Sequence, residues 1–401
     1  MRLLTVTHSH PTYPGDATAP FIAEIISALA RRGHELDVVL PQHPDFGFSD
    51  GDGIRYFPYR YLPTDRLGPW GYGATLSGSS RFSSRAALLF PAVAVALRRT
   101  VTRLLSTGEY SAVHAHWALP NGWLSVAPAA RQSLPLVVSL HGSDVAVAEK
   151  NAVLGSMARR TFQSAGGVTA CSEDLTQRAI ALGAAAASAH TIHYGVDVDA
   201  FAPKVPEKGL RERLGAVAGS PLLIVAVGRL VEKKGFRYLI DAAGRVDGAH
   251  VAIVGDGPLR PELESQACAS HASVTMVGIL DHAGVAAALA AADVVAVPSV
   301  VDGSGNVDGL PNTLLEALAA GQAVVASAIA GIPEVVSDDV NGLLTPEKDV
   351  EALAEVLARL RDQPELRKRL GAEARRRALR ELDWNTTAEA FEDVFRFAGV
   401  E

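Results

Sequence analysis

Apolar residues along the chain alternate between short continuous runs and spacings of three and four, and this predicts strands followed by helices. Leu3 to Val6 is a short apolar strand, and His8 to Pro20 is a loop holding Pro11, Pro14 and Gly15. Phe21, Ile22, Ile25, Ile26 and Leu29 then recur at helical spacing, with Gly33 where a helix C-terminus favours glycine. Leu36–Leu40 is the next strand. Leu136–Leu140, Leu222–Val227, Val251–Val254, Val274–Val277, Val294–Val297 and Ala323–Ala326 read as further buried strands, apolar but for Ser139 and Thr275. Helical patterns lie between them, so the fold class is α/β with parallel sheets.

The 401 residues are enough for two domains of about 100–200 residues each. Strand–helix alternation restarts at Leu222 after a polar, proline-bearing stretch, Ala202 to Ser220, which reads as the linker. The domains are therefore 1–200 and 201–384. Ala378 to Phe397, with Trp384, Ala388, Phe391, Val394, Phe395 and then Ala398, reads as a last amphipathic helix. Two doubly wound domains place ligands at the carboxyl ends of their strands, so the expected site is the cleft between them.

Charge narrows the ligand. The net charge of −7 excludes a strongly basic nucleic-acid binder, and Arg375-Arg376-Arg377 reads as a solvated helix face. Residues 1–200 are near neutral and residues 201–401 acidic, yet residues 55–103 hold eight arginines (Arg55, Arg60, Arg66, Arg81, Arg85, Arg98, Arg99, Arg103) against the single acid Asp65. Interleaved with Phe82, Leu88, Leu89, Phe90, Val93, Val95 and Leu97, they read either as a surface for anionic membrane or as a solvated face of a helix pair. The longest apolar run, Ala86 to Leu97, is interrupted by Pro91 and falls short of the roughly 18 residues of a membrane span. The start of the chain is too weakly apolar for a signal-peptide core. Two cysteines, Cys171 and Cys268, fit a reducing compartment, so the expectation is a cytoplasmic protein at or near the inner face of a membrane.

Several chemistries are excluded by motif. Gly255-Asp256-Gly257-Pro258-Leu259-Arg260 lacks the third glycine of a dinucleotide turn, and no P-loop or nucleophile elbow occurs. What remains is an anion cradle. The strand Leu222–Val227 runs into Gly228-Arg229-Leu230-Val231-Glu232-Lys233-Lys234-Gly235. Arg229 and Lys234 then leave a strand end together, a fork and a point charge suited to a diphosphate. Asp308-Gly309-Leu310-Pro311-Asn312-Thr313 opens a helix with Pro311 at its first position, aiming free backbone N–H groups at an anion. Glu316, one turn inside that helix, is placed to accept from ribose hydroxyls, and Asp308 from sugar hydroxyls.

This ordered set, continued by Ala330-Gly331-Ile332-Pro333-Glu334, resembles the retaining GT-B glycosyltransferases of glycosyltransferase family four. His141-Gly142-Ser143-Asp144, Gly195-Val196-Asp197, Val254-Gly255-Asp256-Gly257-Pro258 and Asn341-Gly342-Leu343-Leu344 extend the likeness over almost the whole chain. The resemblance implies two Rossmann-like domains, with a final helix of about 385–401 crossing back to the first. It implies that Arg229 and Lys234 hold the donor diphosphate, with Gly309, Leu310, Pro311, Asn312 and Thr313 around the phosphates and sugar. Glu316 is then the ribose ligand, and Asp308 stands where the family has glutamate, near the sugar. Gly15 occupies the place of a glycine pair whose second member is here Asp16. His141, after the strand Leu136–Leu140, matches the histidine that hydrogen-bonds the donor sugar, so His141 and Asp308 are the catalytic expectations. His114 and His116, two apart on one strand face, and Asp144 are expected at the acceptor, with packing under Trp117 the alternative for the histidines.

The implied reaction is transfer of a hexose from a nucleoside diphosphate sugar, with uridine the expected base, to a hydroxyl acceptor. With no enzymatic nucleophile evident, attack on the same face gives retention. No cofactor is expected. Asp50-Gly51-Asp52 and Asp197-Val198-Asp199 have the D-x-D form of metal-dependent transferases, but neither adjoins the phosphate-binding helix, so both read as structural and no metal is needed. The acceptor is either a lipid-linked or cell-envelope glycan or a small soluble molecule. Two readings compete: a nucleotide-sugar epimerase, which would convert free donor without acceptor, and a non-catalytic nucleotide-sugar-binding module, which would have no need of His141.

Overall fold

The computed structural model describes all residues except 17, 63–69, 72–75, 78–80, 83, 205–206, 208, 217–221, 271 and 401, and describes residues 76–77, 81–82 and 84–86 by their backbone alone. The chain divides into two compact units, Met1–Tyr194 with Trp384–Glu401, and Gly195–Asp383.

In the first unit β1 (Arg2–Val6), α1 (Pro20–Arg31), β2 (Glu35–Pro41), β3 (Ile54–Tyr59), α2 (Ser84–Thr107) and β4 (Ala112–His116) are followed by α3 (Trp123–Arg131) and β5 (Leu136–Leu140). Then come α4 (Ser143–Lys150), α5 (Ala152–Ser164), β6 (Gly167–Ala170), α6 (Glu173–Ala181) and β7 (Ala189–Thr191). The sheet runs β3-β2-β1-β4-β5-β6-β7, parallel throughout. Its strand order reverses between β1 and β4, and at such a point the loops after the strands diverge and leave room for a ligand.

The second unit contains β8 (Leu222–Val227), α7 (Phe236–Ala243), β9 (Ala249–Val254), α8 (Arg260–Ala269), β10 (Val274–Gly278), α9 (His282–Ala291) and β11 (Val294–Val297). It continues with α10 (Asn312–Ala319), β12 (Ala323–Ser327), β13 (Leu343–Thr345), α11 (Val350–Asp362) and α12 (Pro364–Glu381). Its parallel sheet runs β10-β9-β8-β11-β12-β13. Leu222, Ile224, Val251, Ile253, Val294 and Val325 form its core with Leu239, Ile240, Leu357 and Leu360 from the helices.

Four expectations need correction. The final amphipathic stretch is two helices, because α12 ends before Leu382 and α13 (Trp384–Phe397) starts anew. The Leu382 carbonyl turns away to accept from Val196 N at 2.7 Å. In α13, Glu392 receives Arg32 through two nitrogens at 2.7 and 3.0 Å and lies 2.9 Å from His34, which fastens the helix to the end of α1. The arginine triplet is solvated only at Arg376: Arg375 donates to the carbonyls of Val198 and Ala319, and Arg377 to that of Glu334. The stretch read as a linker packs on the second unit, with Leu214 buried and Arg211 bonded to Asp293 at 2.6 Å. Finally, the basic segment 55–103 is not one helical surface. Arg55 lies on strand β3 and makes two bonds to buried Asp37, while Arg60 bonds Gln42. Asp65, Arg66 and the side chains of Arg81, Phe82 and Arg85 lie outside the described residues. Arg98, Arg99 and Arg103 are exposed on α2, as are Leu88 and Val95.

Candidate functional site

The anion cradle forms where β8 ends. The Lys234 side chain lies across Gly228, its Cε about 3.0 Å from where a Cβ would stand. Gly235 has φ +66°, and a Cβ at this position would run into the carbonyl of Pro298. The segment 254–258 supports the loop from beneath: Leu230 N donates to Asp256 O at 3.0 Å, and Gly257 sits close against the backbone of Leu230. These close approaches aim Lys234 at Asp308. Asp308 receives Lys234 Nζ at 2.7 Å and Lys233 Nζ at 2.6 Å, and the two cations pull its carboxyl far below the usual range against the opposing effect of burial. Lys233 was not among the expected site residues, although its place beside Lys234 was visible. The Arg229 side chain is exposed and has no ion-pair partner among the described residues.

The helix behind Asp308 begins at Asn312, one residue later than expected, with Pro311 as its extended flanking residue. Proline has no N–H, so Gly309, Leu310, Asn312 and Thr313 supply the free amides and Pro311 supplies only shape. The Gly309 carbonyl accepts from Gly331 N at 2.9 Å, which ties this turn to Ala330-Gly331-Ile332-Pro333-Glu334. Thr313 Oγ1 donates to Val227 O at 3.3 Å and holds the helix start against the end of β8. Glu316 is half-buried, and burial pushes its carboxyl up to about 7 although Lys234 draws it down. Two lysine cations, two carboxylates of opposite protonation tendency and four amides thus meet at one strand end.

The first unit collects histidines at the ends of β1, β4 and β5. His141 Nδ1 lies 2.7 Å from Tyr194 Oη, and His141 Nε2 lies 3.1 Å from His116 Nδ1. Asn121 donates to the His116 carbonyl at 2.7 Å and to His8 Nδ1 at 3.0 Å. Burial pushes His8 and His10 down to about 4 and His114 to about 3, and holds His116 and His141 well below their ordinary value. All five are neutral near pH 7. His114 is corrected from acceptor contact to core: it is 0% exposed, 2.7 Å from Ser139 Oγ, with its ring against Phe391 and Phe395. Asp144 is likewise occupied. Its carboxylate accepts from Ala118 N at 2.8 Å, fastening the turn after β4, and burial pushes its carboxyl up against the pull of that amide.

Gly15, at φ +92° with open space where a Cβ would stand, lies beside a carboxylate that organises the loop. Asp16 accepts from Thr12 N and Oγ1 at 2.8 and 2.9 Å and from Thr18 N at 3.0 Å. Burial raises its carboxyl, and these hydrogen bonds outweigh that effect and leave it lowered. Both D-x-D strings lie in turns. Asp50 accepts from Tyr56 N, and Asp197 from the amides of Asp199 and Ala200. Among the described residues, no three or more His, Cys, Asp or Glu side chains are grouped so as to hold a metal ion, and no helix is long and apolar enough to cross a membrane.

Comparison with known proteins gives this geometry a context. Residues 17–195 match the model of the glycosyl transferase 4-like domain, and residues 221–363 that of glycosyl transferases group 1. The chain is 31% identical to the D-inositol 3-phosphate glycosyltransferase of Xylanimonas cellulosilytica, covering 98% of this chain and 95% of that one. It is 29% identical to the GDP-mannose-dependent alpha-(1-6)-phosphatidylinositol monomannoside mannosyltransferase of Mycobacterium tuberculosis over 98% of each chain. The Anabaena protein HepE, solved in complex with UDP, superposes with a TM-score of 0.75 at 21% identity, covering 99% of this chain and all of that one.

Proposed function

The chain belongs to the group 1 glycosyltransferases, with the GT-B fold, and from that premise we propose how it uses its nucleotide-sugar donor. The donor is a nucleoside diphosphate hexose, and the sugar passes to a hydroxyl acceptor with retention and without a metal. The observation that carries this reading is the cradle of Lys234, Arg229 and the amides of Gly309, Leu310, Asn312 and Thr313. Its charge and donor directions match a diphosphate.

As the bond from the anomeric carbon to the diphosphate oxygen breaks, its electron pair goes to the leaving diphosphate, and charge grows there. Fixed cations and helix-end amides stabilise that charge, an effect worth several kcal/mol in a preorganised site, where about 1.4 kcal/mol is tenfold in rate. The acceptor oxygen bonds to the same face of the anomeric carbon, and its proton passes to the departing diphosphate. Glu316 accepts from the ribose hydroxyls, Asp308 takes up a sugar hydroxyl, and neutral His141 hydrogen-bonds a sugar hydroxyl without adding charge.

For the acceptor, the reading is a lipid-linked or cell-envelope glycan. It is supported by the exposed Leu88, Val95, Arg98, Arg99 and Arg103 of α2, an apolar and cationic surface suited to anionic lipid. The Mycobacterium tuberculosis relative is named a phosphatidylinositol monomannoside mannosyltransferase. Calorimetric titration with UDP and GDP, on the wild type and on Lys234→Ala, tests the donor half. Micromolar binding of one nucleotide that is lost in the variant supports the reading and identifies the base, and no binding of either refutes it. NMR of the product linkage tests retention, activity in EDTA tests metal independence, and flotation with anionic liposomes tests the membrane surface.

A further inference from the structure

Tyr194, His141 and His116 form a line in the first unit. The phenol oxygen lies 2.7 Å from His141 Nδ1, and His141 Nε2 lies 3.1 Å from His116 Nδ1. The three rings are close to parallel: Tyr194 and His141 differ by 22°, His141 and His116 by 24°. Phe21 stacks on Tyr194 with centroids 4.7 Å apart and touches His141, and Trp117 closes another side of the His141 ring at 4.6 Å. His116 is fully buried, its carbonyl is held by Asn121, and its Nε2 has no hydrogen-bond partner.

Both ring nitrogens of His141 are therefore engaged. A neutral imidazole carries one N–H and one lone pair, so hydrogen bonds along this line must run in a single direction. Either the phenol donates to Nδ1 and Nε2–H donates to His116, or both bonds reverse. In each case the place of the His141 proton is dictated by its two neighbours. We infer that Tyr194 and His116 are positioning residues that fix the ring orientation and proton location of His141, and that His116 holds, in the free protein, the nitrogen a substrate hydroxyl takes over. This rests on the reading that His141 meets a sugar hydroxyl. The 3.1 Å contact to His116 is the longer of the two and is the one exchanged; the 2.7 Å contact to Tyr194 persists.

The test uses Tyr194→Phe, His116→Leu and His116→Asn, the last restoring a hydrogen-bonding group near the place of Nδ1. Imidazole ¹⁵N NMR of the free protein reads the tautomer, and steady-state kinetics read the consequence. The wild type is expected to show the two distinct ¹⁵N shifts of a single His141 tautomer. In Tyr194→Phe and His116→Leu these shifts converge toward their mean. In Tyr194→Phe, kcat falls on the order of 10²-fold, as for a misplaced catalytic group, with donor KM changed less than about threefold. His116→Asn recovers most of the loss seen in His116→Leu. Unchanged ¹⁵N shifts in Tyr194→Phe and both His116 variants overturn the proposal directly. Converged shifts with unchanged kcat also overturn the positioning role, by showing that the line exists but that His141 does not meet the substrate. Melting curves identify any variant that fails to fold, and Tyr194→Phe, which removes a single oxygen, keeps the test open.

Discussion

Glu316 is held protonated more readily than any exposed glutamate, and that has a cost measurable without substrate. Burial sets its carboxyl at about 7 against an ordinary 4.5. A raised carboxyl means that the folded protein binds the proton more tightly than the unfolded chain does. Stability is then highest at and below pH 4.5, declines as pH rises toward 7, and levels off above it. At about 1.36 kcal/mol per pH unit, the full decline is at most roughly 3 kcal/mol. For a unit of this size, 1 kcal/mol moves the melting temperature by about 2–4 °C. Glu316→Gln cannot ionise, so its melting temperature relative to wild type should rise by about 5–10 °C between pH 5 and pH 8. The same substitution removes a charged acceptor worth about 1.5–3 kcal/mol to ribose hydroxyls, and nucleoside diphosphate binding should weaken by about 10–100-fold. Calorimetric melting and titration at both pH values read the two effects. Equal pH dependence of melting in variant and wild type would refute the reasoning.

Other perturbations separate the parts of the structure. Lys234→Ala should weaken nucleoside diphosphate binding by about 10²-fold, as expected for a charge-assisted contact of about 2–3 kcal/mol, while Lys233→Ala weakens it less than tenfold; titration ranks the two. Gly235→Ala should cost about 1–3 kcal/mol of the second unit's stability, because its left-handed backbone and the Pro298 carbonyl both reject a side chain, and denaturant melting checks this. Glu392 is pulled down to about 2, first by its hydrogen bonds from Arg32. Its contribution is fully present above pH 4.5 and is lost as pH falls toward 2, so Glu392→Gln should destabilise the first unit by about 1–3 kcal/mol at pH 7 and by much less near pH 2. Melting across that range shows whether the difference closes.

Most of the strands legible in the sequence are apolar runs buried on both faces, though Val274–Gly278, also legible, is only half-buried. Leu222–Val227 read as a strand because every position is apolar, and Leu136–Leu140 because every position but Ser139 is, whereas Ile54–Tyr59 did not. That strand lies at the sheet edge, carries Arg55 and Pro58, and among the described strands of the sheet pairs with β2 only. Gly167–Ala170 is too short to carry a period. The cradle was legible because Gly228, Gly235 and Pro311 mark backbone that must bend or start a helix, and Arg229, Lys234 and Glu316 follow at short range. Contacts made across long stretches of chain were not. Nothing near Tyr194 in the sequence points to His141, since the bond joins positions 53 apart. His114 and His116 share a strand face as expected, but only the folded chain shows Phe391 and Phe395 closing over His114.

Under the proposed function, Asp308 between Lys233 and Lys234 also selects among the anions the cradle admits. A carboxylate tethered 2.6 and 2.7 Å from two ammonium groups is an intramolecular competitor, present at an effective concentration that free ions at about millimolar levels do not overcome. Chloride and other single-charge anions bring one contact and lose to it. A diphosphate brings several oxygens at once and engages the helix amides together with Lys234, so it displaces the carboxylate where a simple ion does not. Under that function, a carboxylate that pairs with Lys233 and Lys234 and leaves Arg229 open reserves the loop for a polyvalent ligand.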